Sequence, residues 1–401
     1  MYRGTFSIID LRALSHNLQV LKRRLAPDTR LLIAVKANAY GHGLEPVMNV
    51  VMQGPVAQVA VATLEEALAI RKAGYDIPIL LFGALGPLEL TIAARHQVEV
   101  SYIPTWDDYS ILPQFYPPLK VHIPLDTGMN RIGFKSIEST KAFLDWVRSR
   151  SDVIWSGVYT HLACADASSD EHAQAQIRQF RAWLRELEQD GYQVPLAHAA
   201  NSAGAWRDPA WHFDMVRVGI SAYGYSPDDD VLAMPELRPV MHVYSSISRI
   251  ETVNSGETIS YGATYRADRR MRVATVQMGY ADGYPRVLSN QGTMLVRGQK
   301  ALVVGRVCMD QLMLDVSHIE DVQVGDFVTV FGADTPAALT PQAWGQTAAE
   351  QRERWLVDIF SQQQIGTQQL LPLNHLATLA GTISYELLCQ ISARVPKLYV
   401  Q

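Results

Sequence analysis

The first 225 residues alternate between short apolar segments and longer segments with helical periodicity. The eight apolar segments lie at 31–36, 58–62, 78–82, 98–102, 120–125, 154–160, 196–201 and 215–220. Between them lie sequences such as LEEALAIRKAG, whose apolar residues recur at helical spacing before a terminal Gly. Eight strand–helix units predict an α/β fold, a closed (β/α)8 TIM-type barrel with functional residues at the C-terminal ends of its strands. A doubly wound open sheet is the structural alternative.

The pattern changes near residues 237–243, where alternating segments closed by Gly-containing turns begin, among them SSISRIETV, ETISYGATY and GDFVTVFGA. This pattern predicts a mostly-β domain. We therefore expect residues 1–236 to form the barrel and residues 237–401 to form a β-rich C-terminal domain with a helical C-terminal segment. Residues 334–370, rich in Gln, Ala and Thr, are expected to be an irregular insertion with one helix, QRERWLVDIFSQQ.

Composition limits the class of partner. A net charge of −5 without a basic run gives no electrostatic reason to expect nucleic acid. No stretch approaches the roughly 20 apolar residues that a membrane helix needs. Cys164, Cys308 and Cys389 are too few and too scattered for a disulfide framework or a zinc site. We expect no metal, a reducing cytoplasmic environment, and partners that are small molecules or other copies of the chain.

Lys36 ends the first apolar segment, in LLIAVKANAYGHG. A lysine at the end of a buried strand can lose its proton through desolvation and attack a carbonyl. The alternative is a lysine at the barrel rim whose ammonium group reaches water. Tyr40 and the glycines on either side of His42 follow at once, which offers a phenol for an anion and close approach to the backbone.

Candidate anion ligands lie within or just after the last two predicted barrel strands, in HAANSAG and MVRVGISAYG. The loops after strands seven and eight of such barrels often bind phosphate, and a hydroxyl beside a helix start can do the same. Ordinary turn chemistry is the alternative. The candidates are Asn201, Ser202, Arg217, Gly219 and Ile220.

Further candidates lie after the sixth strand and in the β-rich half. His161 ends that strand, in VYTHLACAD, where a structural and a catalytic histidine fit equally well. Tyr261 lies in ISYGATY, where tyrosine is by default an ordinary sheet residue. Met309 and Asp310 lie in GRVCMDQ.

Together these segments resemble the alanine racemases, fold-type III pyridoxal phosphate enzymes. AVKANAYGHG is similar to the cofactor-lysine motif of that family. LDTGMNRIGF, THLACAD, HAANSAG, VRVGISAYG, ISYGATY, MGYADGYPR, GRVCMDQ and GTISYELLCQISARVPKLY match in the same order. The resemblance covers nearly the whole chain, with 334–370 as the main excess.

The resemblance implies interconversion of L- and D-alanine with pyridoxal 5′-phosphate, D-alanine for peptidoglycan, and a head-to-tail homodimer with shared active sites. Lys36 would hold the cofactor and act as the base on one face of the substrate Cα. Tyr261 of the partner subunit would be the base on the other face. His161 matches the residue that hydrogen-bonds this tyrosine, and Arg217 matches the residue that faces the pyridine nitrogen.

The resemblance also implies binding positions. Tyr40, Ser202, Gly219, Ile220 and Tyr385 match the phosphate-binding residues. Arg131 and the backbone N–H of Met309 match the residues that bind the substrate carboxylate, for which a guanidinium is a suitable clamp. The residues that match the entrance corridor are Asp166, Tyr280, Arg286, Arg306 and Ile383. Asp310 is expected to be structural.

One departure concerns the substrate site. Many relatives carry a carbamylated lysine seven residues before the arginine that corresponds to Arg131, and here that position is Pro124. A carbamate cannot form on proline, so Arg131 must be oriented by another group or be held less firmly. The sequence leaves three alternatives open: a racemase for serine or another small amino acid, a fold-type III decarboxylase, and a non-catalytic protein that binds the cofactor.

Overall fold

The structure is a computed structural model, and it describes residues 1–102, 112–228, 231–363 and 370–401. The chain divides into two compact units, which we call the barrel unit and the sheet unit. The barrel unit comprises residues 15–237, and the sheet unit comprises residues 1–14 together with 238–401.

Eight parallel strands form the closed barrel, and β2 pairs with β9 to close it. The strands are β2 (Arg30–Ala34), β3 (Gln58–Val61), β4 (Ile79–Leu81), β5 (Val98–Ser101), β6 (Leu119–Pro124), β7 (Val153–Tyr159), β8 (Ala197–His198) and β9 (Met215–Val218). Each lies within or overlaps one of the eight predicted segments. The predicted barrel is confirmed, and the open-sheet alternative is wrong because β2 and β9 are hydrogen-bonded neighbours rather than edges.

Helices follow most barrel strands. They are α2 (Lys36–Tyr40), α3 (Leu44–Gln53), α4 (Leu64–Lys72), α5 (Pro87–Arg95), α6 (Ile137–Arg148), α7 (Glu171–Gln189) and α8 (Ser202–Arg207), after α1 (Leu11–Arg23). Their starts are set by local chemistry. Thr63 and Glu66 form a capping box at α4, and Ser136 caps α6 by accepting from the N–H of Ser139. Apolar side chains of several strands, including Leu32, Leu80 and Met215, form one buried cluster of the barrel unit.

The sheet unit is built on antiparallel pairs. Its strands are β1 (Phe6–Asp10), β10 (Met241–Val253), β11 (Thr258–Ile259), β12 (Tyr265–Arg266), β13 (Met271–Val276), β14 (Thr293–Val296), β15 (Gln299–Val303), β16 (Leu312–Asp315), β17 (Phe327–Ala333), β18 (Leu370–Leu371) and β19 (Lys397–Val400). The strands β10, β13, β16, β15, β14 and β17 pair in that order, and β17 pairs back to β10. Because the pairings form a ring, these six strands have few open edges.

The N-terminal strand belongs to the sheet unit, whereas the sequence suggested that the barrel domain begins at residue 1. All five residues of β1 are buried. The strand pairs antiparallel with β10 on one side and parallel with β19 on the other. A strand that is hydrogen-bonded on both edges and buried on both faces needs an apolar sequence such as FSIID. Barrel strands have the same apolar pattern, so the sequence does not distinguish the two.

The segment expected to be an irregular insertion packs against this sheet. It contains two helices, α9 (Pro341–Gln346) and α10 (Arg352–Ser361), where one was expected. Leu356 and Phe360 are fully buried, and the Phe360 ring lies 5.1 Å from that of Tyr244 and 6.3 Å from that of Phe6. Residues 364–369 of the segment lie outside the described residues. The helices α11 (Leu373–Ala380) and α12 (Ser384–Gln390) follow.

Within the described ranges, no helix has both the length and the apolar character needed to span a bilayer.

The packing of α10 predicts that Phe360→Ala lowers the free energy of unfolding by about 3–5 kcal/mol, because it removes a fully buried ring and leaves a cavity. Asp358→Ala, on the exposed side of the same helix, should change it by less than about 0.5 kcal/mol. Urea unfolding measures both. Equal and small effects would mean that α10 does not contribute to the core.

Candidate active site

Arg217, on β9, is a cation inside the barrel. Its side chain is buried, and its guanidinium donates four hydrogen bonds. Two go to backbone oxygens, those of Thr160 at 2.9 Å and Ala199 at 3.0 Å. The other two go to imidazole Nδ1 atoms, those of His198 at 2.9 Å and His161 at 3.1 Å. A buried charge is tolerated when it is hydrogen-bonded in this way, because its lost hydration is replaced.

The guanidinium determines the form of both imidazoles. Arginine is only a donor, so the Nδ1 atoms of His161 and His198 must be unprotonated acceptors and their protons lie on Nε2. Burial and the neighbouring charge of Arg217 lower the pKa of His161 to about 3, and burial also lowers the pKa of His198 well below its ordinary value. Burial lowers the pKa of Arg217 to about 10, so the guanidinium stays charged at neutral pH. The barrel therefore holds one cation between two neutral histidines.

The backbone just after β9 closely approaches two side chains that carry hydroxyl groups, those of Ser202 and Tyr40. The backbone N–H of Gly219 donates to Oγ of Ser202 at 2.9 Å. A Cβ on residue 219 would overlap the phenol oxygen of Tyr40, so only glycine allows this approach. Ile220 begins the next turn of chain and is fully buried. Four of the five predicted phosphate-binding residues thus lie together in the barrel unit.

The turn after Lys36 has an unusual backbone. Residues 37–40 all have positive φ values, between 52° and 55°. Each L-residue in this left-handed region costs about 1–2 kcal/mol, and such residues normally occur singly. The turn is held by a carboxylate oxygen of Glu66, which accepts from the N–H of Ala37 at 2.6 Å, and by Oδ1 of Asn38, which accepts from the N–H of Leu44 at 2.8 Å. Backbone strain of this kind is concentrated at functional sites.

Lys36 itself is the first residue of this turn, at the C-terminal end of β2. Its side chain is exposed in the single chain. The barrel unit therefore does not supply the desolvation that the apolar strand suggested, although the position at the strand end is as predicted.

Arg131 lies in the loop that follows β6. This loop is closed by its backbone: the carbonyl of Pro124 accepts from the N–H of Phe134 at 2.9 Å, and the carbonyl of Phe134 accepts from the N–H of Asp126 at 2.8 Å. Arg131 is exposed and lines one pocket with His161. Within the described residues, no hydrogen bond or ion pair holds its guanidinium. With Pro124 in place of the lysine that many relatives carry, the loop backbone determines the orientation of Arg131.

The sheet unit exposes an apolar surface that contains three predicted site residues. Tyr261, Tyr280 and Met309 are 71%, 42% and 52% exposed, and we call them the exposed patch. The N–H of Tyr280 donates to the carbonyl of Cys308 at 3.0 Å, which joins the turn of Tyr280 to the loop of Met309. Exposed apolar side chains on neighbouring loops mark interaction surfaces.

A buried carboxylate and the ion pairs around it hold the loops of Tyr280 and Met309. Asp282 is completely buried and accepts from the N–H of Gly279 at 3.0 Å and from Arg3 at 2.7 Å. Arg394 pairs with this carboxylate at 3.5 Å and with that of Asp310 at 2.8 Å. Asp310 therefore has an ion-pairing role, in agreement with its expected structural assignment.

The family model for the alanine racemase N-terminal domain matches residues 9–227, and the model for the C-terminal domain matches residues 240–360. The chain belongs to the alanine racemase family. The match of the C-terminal model runs through residues 334–360, so most of the segment described as excess lies within the matched region.

Relatives and solved structures agree with this family. The alanine racemase of Desulforamulus reducens is 36% identical over 98% of each chain, and that of Desulfovibrio desulfuricans is 34% identical over 100% of this chain and 99% of the relative. The biosynthetic alanine racemase of Pseudomonas aeruginosa has a TM-score of 0.83 at 31% identity, with 100% of both chains covered. The alanine racemase of Bacillus anthracis with bound L-Ala-P has a TM-score of 0.82 at 31% identity, over 100% of this chain and 96% of the neighbour.

The other residues singled out in this alanine racemase family member are spread over both units. Asn201 caps α8 by accepting from the N–H of Gly204 at 2.9 Å, and its amide nitrogen donates to the carbonyl of Leu162 at 3.3 Å. In the barrel unit, Asp166 is half-buried. In the sheet unit, Arg286 is exposed and Arg306 is half-buried. Ile383 is 55% exposed, and Tyr385 lies on α12. The joint roles of these residues in one site stay predictions.

Sequence reasoning missed His198, although it opens the quoted motif HAANSAG, and it missed His122 in the segment KVHIPL. Both are buried, and His198 contacts Arg217 directly. The available signal was a polar residue inside an apolar barrel segment, since such residues are buried only with partners.

The neutral histidines predict a loss of stability in acid. In the unfolded chain His161 and His198 take up protons near pH 6.5, whereas in the folded chain they stay neutral to much lower pH. Below pH 6.5 the unfolded state therefore binds more protons, and each histidine lowers the free energy of unfolding by about 1.4 kcal/mol per pH unit, or roughly 2 kcal/mol at pH 5.

Urea unfolding at pH 7 and pH 5 measures this difference. His161→Gln, whose amide can also accept from Arg217 and donate from its other end, should reduce the difference by about 2 kcal/mol. His96→Gln, at an exposed position of the same unit, is the matched control. An unchanged pH dependence in the His161 variant would mean that this imidazole is protonated in the folded protein.

Proposed function

We propose that this chain is a pyridoxal phosphate-dependent racemase that interconverts L-alanine and D-alanine, and that it supplies D-alanine for peptidoglycan. The observation that carries the proposal is the buried guanidinium of Arg217, which holds the ring of His161 neutral with its proton on Nε2. Membership of the alanine racemase family supports the same reaction.

The residues of the barrel unit fit the cofactor. The hydroxyls of Tyr40 and Ser202, which lie close to the backbone at Gly219, are suited to a phosphate group. Lys36 would carry the cofactor, and its position just after the C-terminal end of β2 supports this role. When bound, pyridoxal phosphate supplies an electron sink for the electrons left on the substrate Cα after its proton is removed.

Two bases on opposite faces of Cα account for racemisation. We propose that Lys36 removes or returns the proton on one face and that Tyr261 from a second copy of the chain does so on the other. A phenol is a weak base at neutral pH and needs assistance. The Nε2–H of His161 would donate to the phenolate oxygen, and a hydrogen bond to the charged form favours that form.

Arg217 favours racemisation over decarboxylation. Its guanidinium holds its protons at neutral pH, so it would hydrogen-bond the pyridine nitrogen without protonating it. A decarboxylase of this fold type would use an acid at that place. The catalytic assignment is preferred over a non-catalytic binding protein because the chain has the second unit, which presents Tyr261 and Met309.

The exposed patch supports a head-to-tail homodimer with shared active sites. Tyr261 is 71% exposed, and it follows Ser260, which has a φ of 66° and donates from Oγ to the carbonyl of Arg306 at 2.6 Å. A large apolar side chain held outward on a constrained turn suits a role in the site of a neighbouring copy.

The experiment that tests the function is a proton NMR time course of the purified protein with pyridoxal phosphate and L-alanine in deuterium oxide. We expect loss of the α-proton signal together with the appearance of D-alanine in an enantiomer-specific assay. L-serine in a parallel sample measures substrate breadth. Retention of the alanine α-proton by the cofactor-loaded protein would rule out the proposed reaction, and release of carbon dioxide would support the decarboxylase alternative.

The two-base assignment predicts an asymmetric effect of Tyr261→Phe. The variant should slow α-proton removal from L-alanine by about 100-fold or more and affect D-alanine far less, since only one face loses its base. Tyr265→Phe, four residues further along and half-buried, is the matched control and should behave as the wild type. Exchange rates of the two enantiomers in deuterium oxide provide the measurement. Equal losses for both enantiomers would contradict the assignment.

A further inference from the structure

A chain of four polar side chains crosses the barrel interior from Arg217 to an acidic residue that no motif indicated. Arg217 donates to Nδ1 of His198 at 2.9 Å. Nε2 of His198 lies 2.9 Å from Nδ1 of His122, and Nε2 of His122 lies 3.0 Å from a carboxylate oxygen of Glu99. Both imidazoles are buried, with exposures of 0% and 2%. The four residues come from β9, β8, β6 and β5, so the chain runs across the barrel rather than along one strand.

The two ends of this chain determine its direction. The guanidinium of Arg217 is only a donor, and the carboxylate of Glu99 is only an acceptor. Each imidazole between them must therefore accept at Nδ1 and donate from Nε2. If either neutral ring carried its proton on Nδ1, two donors would face each other across one of the contacts. A single assignment of protons satisfies all three hydrogen bonds.

The backbone makes room for this contact at one glycine. His122 on β6 lies opposite Gly157 on β7 in the strand register. A Cβ on residue 157 would overlap the His122 ring. Because β7 lies between β6 and β8, the His122 ring must pass over residue 157 to reach His198. Glycine at this position is therefore required by the histidine pair and not by a turn.

Glu99 is held at the other end of the chain by more than one group. The same carboxylate oxygen that accepts from His122 also accepts from the amide of Gln58 at 3.0 Å, and the ammonium of Lys120 lies 3.7 Å from the other oxygen. Burial raises the pKa of Glu99, but the hydrogen bonds from His122 and Gln58 and the positive charge of Lys120 outweigh it, so the pKa lies below its ordinary value. The acceptor end of the chain is thus a carboxylate at neutral pH.

We propose that Glu99 is a positioning residue for Arg217: through His122 and His198 it fixes the proton positions that allow the guanidinium to keep its place in the site. Without the acceptor at residue 99, His122 can carry its proton on Nδ1 and donate toward His198. His198 would then present Nδ1–H to Arg217, and the guanidinium would have to move away. The effect on the reaction rests on the proposed function, whereas the proton positions do not.

Three variants separate the contributions at residue 99. Glu99→Gln keeps an oxygen that can accept from both His122 and Gln58 while removing the charge. Glu99→Leu removes the acceptor. Gln58→Leu disturbs the same end of the barrel but leaves the chain to Arg217 intact, so it is the matched control. Each is purified with pyridoxal phosphate bound and checked for folding by its thermal unfolding midpoint.

The first readout is the proton position on each ring, measured by solid-state ¹⁵N NMR of histidine-labelled protein and assigned with His122→Gln and His198→Gln. We expect both rings of the wild type, of Glu99→Gln and of Gln58→Leu to be neutral with the proton on Nε2. Glu99→Leu should show Nδ1–H on at least one of the two rings. A wild-type signal for Nδ1–H or for a doubly protonated ring at either position would overturn the proposal, whatever the behaviour of the variants.

The second readout is the racemisation rate. Glu99→Leu should lower kcat/KM by about 10- to 100-fold, as expected for a displaced group at the reacting centre, with Glu99→Gln and Gln58→Leu within roughly threefold of the wild type. Equal losses in Gln58→Leu and Glu99→Leu would overturn the proposal, because packing alone would then account for both. Wild-type activity in a folded Glu99→Leu would overturn it as well.

The two readouts also distinguish the proposal from the function on which it rests. If the wild type shows the expected proton positions but does not exchange the α-proton of alanine, the proposed function is wrong and the role of Glu99 in holding Arg217 stands. If the wild type racemises alanine but shows other proton positions, the function stands and the positioning role is wrong.

Discussion

A guanidinium inside a barrel is the constraint on which the rest of the site depends. Arg217 has lost its water and needs acceptors, which the barrel provides from the C-terminal ends of β7 and β8 as backbone carbonyls and imidazole nitrogens. Since arginine cannot accept a hydrogen bond, its presence alone decides where the protons of His161 and His198 lie. The hydrogen bonds that compensate for the burial of Arg217 thereby place the proton of His161 on Nε2, the atom that would donate to Tyr261.

The two units contribute different chemistry. The barrel unit supplies Lys36 on a strained turn, the hydroxyl of Tyr40 close to Gly219, and the buried cation of Arg217 with its histidines. The sheet unit contributes exposed side chains: Tyr261, on a turn where Ser260 donates to the carbonyl of Arg306, and Tyr280, beside the completely buried Asp282. In the proposed dimer, a second copy would complete the site by bringing its exposed patch to the barrel, and the reaction would then depend on oligomerisation.

The sequence predicted the barrel well because its pattern changes repeatedly between apolar strands and helical periodicity. It also indicated Lys36, Arg217 and Ser202, since these polar residues lie at or just after the C-terminal ends of predicted strands. It did not reveal the left-handed run at 37–40, which has no glycine within it. Nor did it reveal that β1 joins the sheet unit, because local pattern does not specify the pairing partner of a buried strand.

The sequence also did not predict the chain of hydrogen-bonded side chains from Arg217 to Glu99. Its members lie on four strands, and their contact depends on which face of each strand points inward and on the space above Gly157. Likewise, Arg131 is exposed on a loop that backbone hydrogen bonds close at Pro124. The residue types in that loop do not predict these hydrogen bonds.

The most direct test of the account is a subunit-mixing experiment with two inactive variants, Lys36→Ala and Tyr261→Phe, carrying different affinity tags. If each site takes Lys36 from one copy and Tyr261 from the other, one of the two sites in a mixed dimer is intact. Random mixing of equal amounts should then restore about a quarter of the wild-type racemisation rate, and dimers purified through both tags should have about half of it. Doubly tagged dimers that form but do not racemise alanine would contradict the shared site.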